Sequence, residues 1–122
     1  MRDFRELKVW QRGYQLSLAV YQASAHFPAT EKYGLTSQIR RAAVSVVANI
    51  AEGCGRRGEA DFARFLDIAM GSASELECCL QLARDLELLN RPDYSNLQES
   101  VTELKRMLTS LIRKLRVKDA DS

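Results

Sequence analysis

Wound onto a helix at ~100° per residue, residues 36–57 resolve into three faces rather than the usual two. Leu35, Ile39, Ala42, Ala43, Val46 and Ile50 form an apolar stripe at i, i+3, i+4 and i+7 spacing. Gln38, Arg41, Ser45, Asn49 and Glu52 make a narrow polar stripe beside it, with Arg56 in line beyond. The third side carries Val44, Val47, Ala48 and Ala51, with Arg40 as its one charge. A helix apolar nearly all round calls for burial nearly all round. A small bundle covers one face of each helix, so the second apolar face predicts a partner chain and self-association.

The same periodicity organises the rest of the chain. Leu7, Trp10 or Gln11, Tyr14, Leu18, Tyr21 and Ala25 repeat at 3–4 spacing and predict a first helix over about residues 7–26. Asp3 and Glu6 resemble a capping box ahead of it, and Phe27-Pro28 ends it, because a residue before proline disfavours the helical region. A connector over residues 29–34 leads to a second helix at 36–53, capped by Thr36 or Ser37 and stopped by a left-handed Gly53. A short, basic, glycine-rich loop follows, and Gly58 serves as N-cap of a third helix over 59–89. There Phe62, Leu66, Ala69, Ala73, Leu76, Leu80 and Ala83 keep a 4-3-4-3 rhythm. Asn90-Arg91-Pro92 breaks it, and Leu97, Val101, Leu104, Leu108, Leu111 and Leu115 repeat it in a fourth helix over 93–116, before a polar tail expected to fray. The one strongly β-branched run, residues 44–47, lies inside a helical period. The pattern predicts a single all-α domain over residues 1–122, an antiparallel up-and-down four-helix bundle.

Charge adds an asymmetry that the net value of +2 conceals. Residues 1–64 hold ten Lys/Arg against six Asp/Glu, residues 65–104 two against eight, and residues 105–118 six against none. Such a distribution marks either a nucleic-acid surface or basic and acidic helices lying side by side. Charges interrupt every apolar segment before the ~20 residues a membrane span requires, and residues 1–10 have no signal-peptide core. Cys54, Cys78 and Cys79 are an odd count without metal-ligand spacing, which points to reduced packing thiols and a cytoplasmic protein.

Candidate chemistry is sparse. His26 is the single histidine, and no Glu-x-x-His pair exists for a carboxylate-bridged di-metal bundle. A cysteine nucleophile needs a base within reach, and the Gly-Cys-Gly-Arg-Arg-Gly loop lacks the lysine–hydroxyl pair of a phosphate loop. No enzyme activity, metal or cofactor is expected. The polar stripe, with Ser72 and Glu75 opposite on the third helix, reads either as a satisfied seam between helices or subunits or as a place where Arg41, Arg56 and Arg57 face phosphate. Lys105, Arg106, Arg113, Lys114 and Arg116 are the other basic cluster, serving solvation and the helix dipole or phosphate binding. No aromatic–basic interleaving of the single-strand-reading type appears in the sequence.

Several motifs resemble a known family. They are Phe4-x-x-Leu7-x-Val9-Trp10, Phe27-Pro28-x-x-Glu31-x-Tyr33-Gly34-Leu35, Gln38-Ile39-Arg40-Arg41-Ala42, Asn49-Ile50-Ala51-Glu52-Gly53-x-Gly55-Arg56, Phe62-x-x-Phe65-Leu66 and Gly71-Ser72-x-x-Glu75. The chain resembles the S23-type proteins encoded in intervening sequences of bacterial 23S ribosomal RNA genes, over residues 4 to about 115. It is also similar to the accessory variability determinant of diversity-generating retroelements, a basic barrel that associates with a reverse transcriptase and nucleic acid. Val47 departs from a frequent proline and Gly58 from a frequent Ser or Thr cap. The resemblance implies a four-helix bundle assembling as a ring-shaped homopentamer, without catalytic residues.

These readings lead to a non-enzymatic, oligomeric RNA-, DNA- or nucleoprotein-binding module. Its candidate phosphate contacts are Arg40, Arg41, Arg56, Arg57, Lys105, Arg106, Arg113, Lys114 and Arg116. Gln38, Val44, Ser45, Val47, Ala48, Asn49, Ala51, Glu52, Ser72 and Glu75 are assigned to assembly or the polar seam. The alternative is a protein-interaction scaffold without nucleic-acid affinity, docking a partner such as a reverse transcriptase.

Overall fold

The computed structural model describes residues 2–121. Four helices, α1 (Lys8–Ser24), α2 (Leu35–Cys54), α3 (Glu59–Asp85) and α4 (Arg91–Asp121), account for most of it, with 3-10 turns at Phe4–Glu6 and Ala29–Glu31. No strand occurs among the described residues. The helices form a four-helix bundle in which each packs on its two neighbours, in the cyclic order α1, α2, α3, α4, while diagonal backbones stay apart. Cross-helix pairs run in opposing order: Ser17 with Ala43 and Ser24 with Arg40, Arg41 with Glu75 and Ser45 with Ser72, Asp67 with Arg116 and Glu77 with Lys105. Consecutive helices are therefore antiparallel.

The core follows the bulky apolar rhythm in three helices. In α2 the whole apolar stripe from Leu35 to Ile50 is buried, and in α3 the same holds from Phe62 to Ala83. In α4 Leu97, Val101, Leu104, Leu108 and Leu115 are buried and Leu111 is half-buried. α1 departs from expectation. Its buried face is Val9, Gly13, Leu16, Ser17, Val20 and Ser24, whereas Tyr14, Leu18 and Tyr21 of the expected core stripe stand at the surface. Small residues win this register because α1 lies close on α2. A Cβ on Gly13 would sit 3.0 Å from Val47 Cγ1, and the Ser17 hydroxyl donates to the carbonyls of Gly13 and Ala43.

Helix ends differ from the sequence expectation for local reasons. The Asp3 carboxylate accepts from the Arg5 N–H and so caps the first 3-10 turn, leaving α1 to start at Lys8 and finish at Ser24. α2 begins at Leu35, ahead of what a Thr36 or Ser37 cap would allow, since Glu31 Oε1 takes the Leu35 N–H at 3.1 Å. Gly53 is helical rather than left-handed, and its role is steric: a Cβ there would lie 2.8 Å from the Phe62 ring and 3.0 Å from Phe65 Cβ. α3 stops at Asp85, short of residue 89, because Glu87 turns left-handed (φ 62°). The Leu88 N–H then bonds the Ala83 carbonyl and the Glu87 N–H that of Arg84, the paired bonds of a Schellman stop. The Asn90 side chain accepts from the Asp93 N–H at 2.8 Å and opens α4 at Arg91. At its other end α4 continues through Asp121 instead of fraying after residue 116.

Candidate functional site

The polar stripe of α2 meets α3 along its length. The Ser45 and Ser72 hydroxyls lie 2.7 Å apart, and the Asn49 amide donates to the Ser45 carbonyl (2.8 Å) and hydroxyl (3.1 Å). Arg41 donates to Gln38 Oε1 at 2.6 Å and stands 3.8 Å from Glu75, while Glu52 pairs with Arg56 at 2.6 Å. Ser45, Asn49 and Ser72 thus satisfy one another within a single chain. The charged and amide groups around them line the solvent edge of the same seam.

On the other side of α2, Val44 and Ala48 are exposed and Val47 and Ala51 half-buried. This face continues onto α1. Helical phase sets Trp10, Tyr14 and Tyr21 on the α2 side of that helix, and the Trp10 ring stacks on Tyr14 at 4.9 Å and meets Phe4 at 4.8 Å. Tyr14, Leu18, Tyr21 and Val44 are 44, 45, 43 and 43% exposed, and Tyr21 and Val44 line one groove between the two helices.

The nine basic candidates do not form one patch. Arg40 and Arg41 lie near the start of α2, and Arg56 and Arg57 follow its end, about 20 Å away at 1.5 Å per residue. Five of the nine meet carboxylates: Arg41 with Glu75, Arg56 with Glu52, Lys105 with Glu77 (3.0 Å), Arg106 with Glu103 (2.7 Å) and Arg116 with Asp67. The acidic α3 and basic α4 therefore neutralise each other across their contact. Arg40 crosslinks α1 to α2, donating to Ser24 Oγ (2.8 Å) and the Tyr21 carbonyl, its guanidinium 4.6 Å over the Tyr21 ring. Arg57, Arg113 and Lys114 have no carboxylate partner among the described residues. Arg113 and Lys114 line a cleft with Val117, Lys118 and Asp121 on the C-terminal turns of α4, while Arg57 stands in the loop after α2, which Lys118 approaches through Glu59. Arg2 reaches the same Glu59, its backbone N–H on the Cys54 carbonyl and its guanidinium 2.7 Å from that carboxylate and 4.4 Å over Phe62. The hydrogen bond from Arg2, with Lys118 nearby, holds the Glu59 carboxyl below the usual carboxylate range.

A groove of about 600 Å³ lies over the first turns of α2, lined by Tyr21, Lys32, Tyr33, Arg40, Arg41 and Val44 among others. Sequence reasoning missed it, because its aromatic and basic members come from α1, the connector and α2 and show no linear interleaving. Burial raises the thiol pKa of Cys54, against the lowering pull of Arg2, and burial likewise raises that of Cys79. His26 lines a shallow cleft with Gln22 and Asp93 between α1 and α4. No group of three or more His, Cys, Asp or Glu suited to a metal occurs among the described residues. No helix there is long and apolar enough to cross a membrane.

Residues 5–110 match the model of a family described as 23S rRNA-intervening sequence protein. The chain is also similar to a solved structure described as a protein with unknown function from the S23 ribosomal protein family of Bacteroides thetaiotaomicron VPI-5482. The two share 27% identity with a TM-score of 0.77, over 85% of this chain and 97% of that one. No curated protein matches the chain.

Proposed function

The chain belongs to the 23S rRNA-intervening sequence protein family, and on that premise we propose that it is a non-catalytic, oligomeric RNA-binding module of the cytoplasm. The observation that carries this reading is the pair Arg113 and Lys114, which line one cleft on the C-terminal turns of α4 with Lys118 and Asp121 and have no carboxylate within ion-pair distance among the described residues. Cations near the C-terminus of α4 suit its dipole in any case, and a polyphosphate backbone in addition releases counterions to them. Fluorescence anisotropy of a labelled structured RNA at ~50 and ~200 mM salt tests the idea. Log K should fall by ~0.7–0.9 per phosphate neutralised for each tenfold rise in salt, and Arg57→Glu with Arg113→Glu should remove the binding. Salt-independent affinity, or none at the lower salt, would overturn it.

Assembly rests on the exposed apolar face of α1 and α2, and the family resemblance favours a ring-shaped homopentamer. Val44→Asp and Ala48→Asp place a carboxylate on that face without touching the core, so the mass in solution should drop to that of one chain. An unchanged mass would remove the face from the interface. The same face supports a second reading, a scaffold for a partner protein, for which the retroelement resemblance suggests a reverse transcriptase. That reading predicts assembly without nucleic-acid affinity.

A further inference from the structure

We infer that the groove over the start of α2 is a stacking site for unpaired bases, so that the RNA it takes is single-stranded there rather than duplex. This inference rests on the RNA-binding reading above and gives it a substrate class. Tyr33 is 89% exposed, with Lys32 Nζ at 5.4 Å from its ring centroid. Tyr21, which the groove shares with the apolar face of α1 and α2, is layered under the Arg40 guanidinium at 4.6 Å, while Tyr33, Lys32 and Arg41 are not members of that face. Bases stack on aromatic rings and on guanidinium planes alike, and both surfaces are present. The charge around them has the matching sign. Lys32 and Arg40 have no carboxylate partner among the described residues, and Arg41 has only Glu75 at 3.8 Å. Glu31, beside Lys32 in the chain, takes the Leu35 N–H as the cap of α2, and among the described residues no acid lines the groove. Phosphates flanking a stacked base therefore find Lys32 open to them, and Arg41 held by the Gln38 amide at 2.6 Å with Glu75 at 3.8 Å. A duplex hides the base faces that Tyr33 would engage, and the sign of Lys32, Arg40 and Arg41 matches a phosphate backbone.

The test compares a labelled oligouridine of ~10 nucleotides with an RNA duplex of the same length, binding the full chain at low salt. Tyr33→Ala should weaken the single strand roughly 5- to 100-fold, the range set by loss of one base–aromatic stack, and leave duplex affinity unchanged. Tyr33→Trp should retain single-strand binding and show indole quenching on titration. Because Tyr33 packs against no core residue, neither variant endangers the fold, and far-ultraviolet circular dichroism checks this. If Tyr33→Ala and Arg41→Ala leave single-strand affinity within twofold while Arg57→Glu with Arg113→Glu abolishes it, the groove inference is overturned and RNA binding stands. If neither RNA binds the parent protein, both readings fall.

Discussion

Two glycines on helices offer a matched test of how tightly α2 and α3 pack. Gly53 lies in the last turn of α2, where a Cβ would meet the Phe62 ring at 2.8 and 3.3 Å and Phe65 Cβ at 3.0 Å. Phe62 is fully buried and Phe65 Cβ is tied to backbone, so neither neighbour can move aside without disturbing α3. Gly71, in the middle of α3, has nothing within 4 Å of where a methyl would stand. Replacing either glycine by alanine gains at most the helix-propensity difference of ~0.8–1.0 kcal/mol. At Gly71 that gain stands alone. At Gly53 it opposes an overpacking cost of ~1–3 kcal/mol, leaving a net loss of up to ~2 kcal/mol.

The difference between Gly53→Ala and Gly71→Ala removes most of the propensity contribution and reads packing directly, at about 1–3 kcal/mol. Urea denaturation followed by circular dichroism resolves it. With a slope of ~1–3 kcal/mol per molar, the midpoints should separate by about 1 M, Gly71→Ala above the parent and Gly53→Ala below it. Coincident midpoints would refute the close approach of α2 and α3 at Gly53. So would a stabilised Gly53→Ala, because a methyl accepted there means that the Phe62 ring has room.

Other consequences follow from single contacts. Glu87→Gly should stabilise the chain by ~0.5–1 kcal/mol, since glycine adopts the left-handed φ of 62° without a Cβ penalty; a lowered melting temperature would contradict the Schellman stop. Ser45→Ala and Ser72→Ala should each cost ~1 kcal/mol, and the double variant less than their sum, because the 2.7 Å bond is lost once; strict additivity would deny the bond. Glu59 titrates below the ordinary carboxylate range in the folded chain because Arg2 bonds it. Its contribution is thus complete at neutral pH and disappears as pH falls through the ordinary range toward the depressed folded value. Glu59→Gln should flatten that acid limb of the stability curve, and identical acid slopes would exclude the contribution.

The parts of this fold legible in the sequence are those where bulk decides. In α2, α3 and α4 the large apolar residues recur at bundle spacing and are the residues buried, so counting them located the core. α1 inverts that rule. Its inward face is Gly13, Ser17 and Ser24 beside Val9, Leu16 and Val20, small enough for close contact with α2, while its aromatic residues recur at equally good helical spacing and point outward. Periodicity fixes the helix but not which of two stripes is inside. Gly53 misled for a related reason, since a glycine near a helix end serves equally well as a stop or as a close contact. Charge was legible in sign and illegible in pairing. Lys105 and Glu77 are 28 residues apart and Arg116 and Asp67 are 49 apart, so only the antiparallel docking of α3 on α4 shows which cations are neutralised. The groove at Tyr33 was hidden for the same cause, as its members come from three elements. The outward stripe of α1 nevertheless bears on function. With Tyr14, Leu18 and Tyr21 exposed on α1 and Val44 on α2, the bundle leaves large apolar and aromatic side chains in water on two adjacent helices. The residues that misplaced the core of α1 are therefore the same ones that support the proposed assembly.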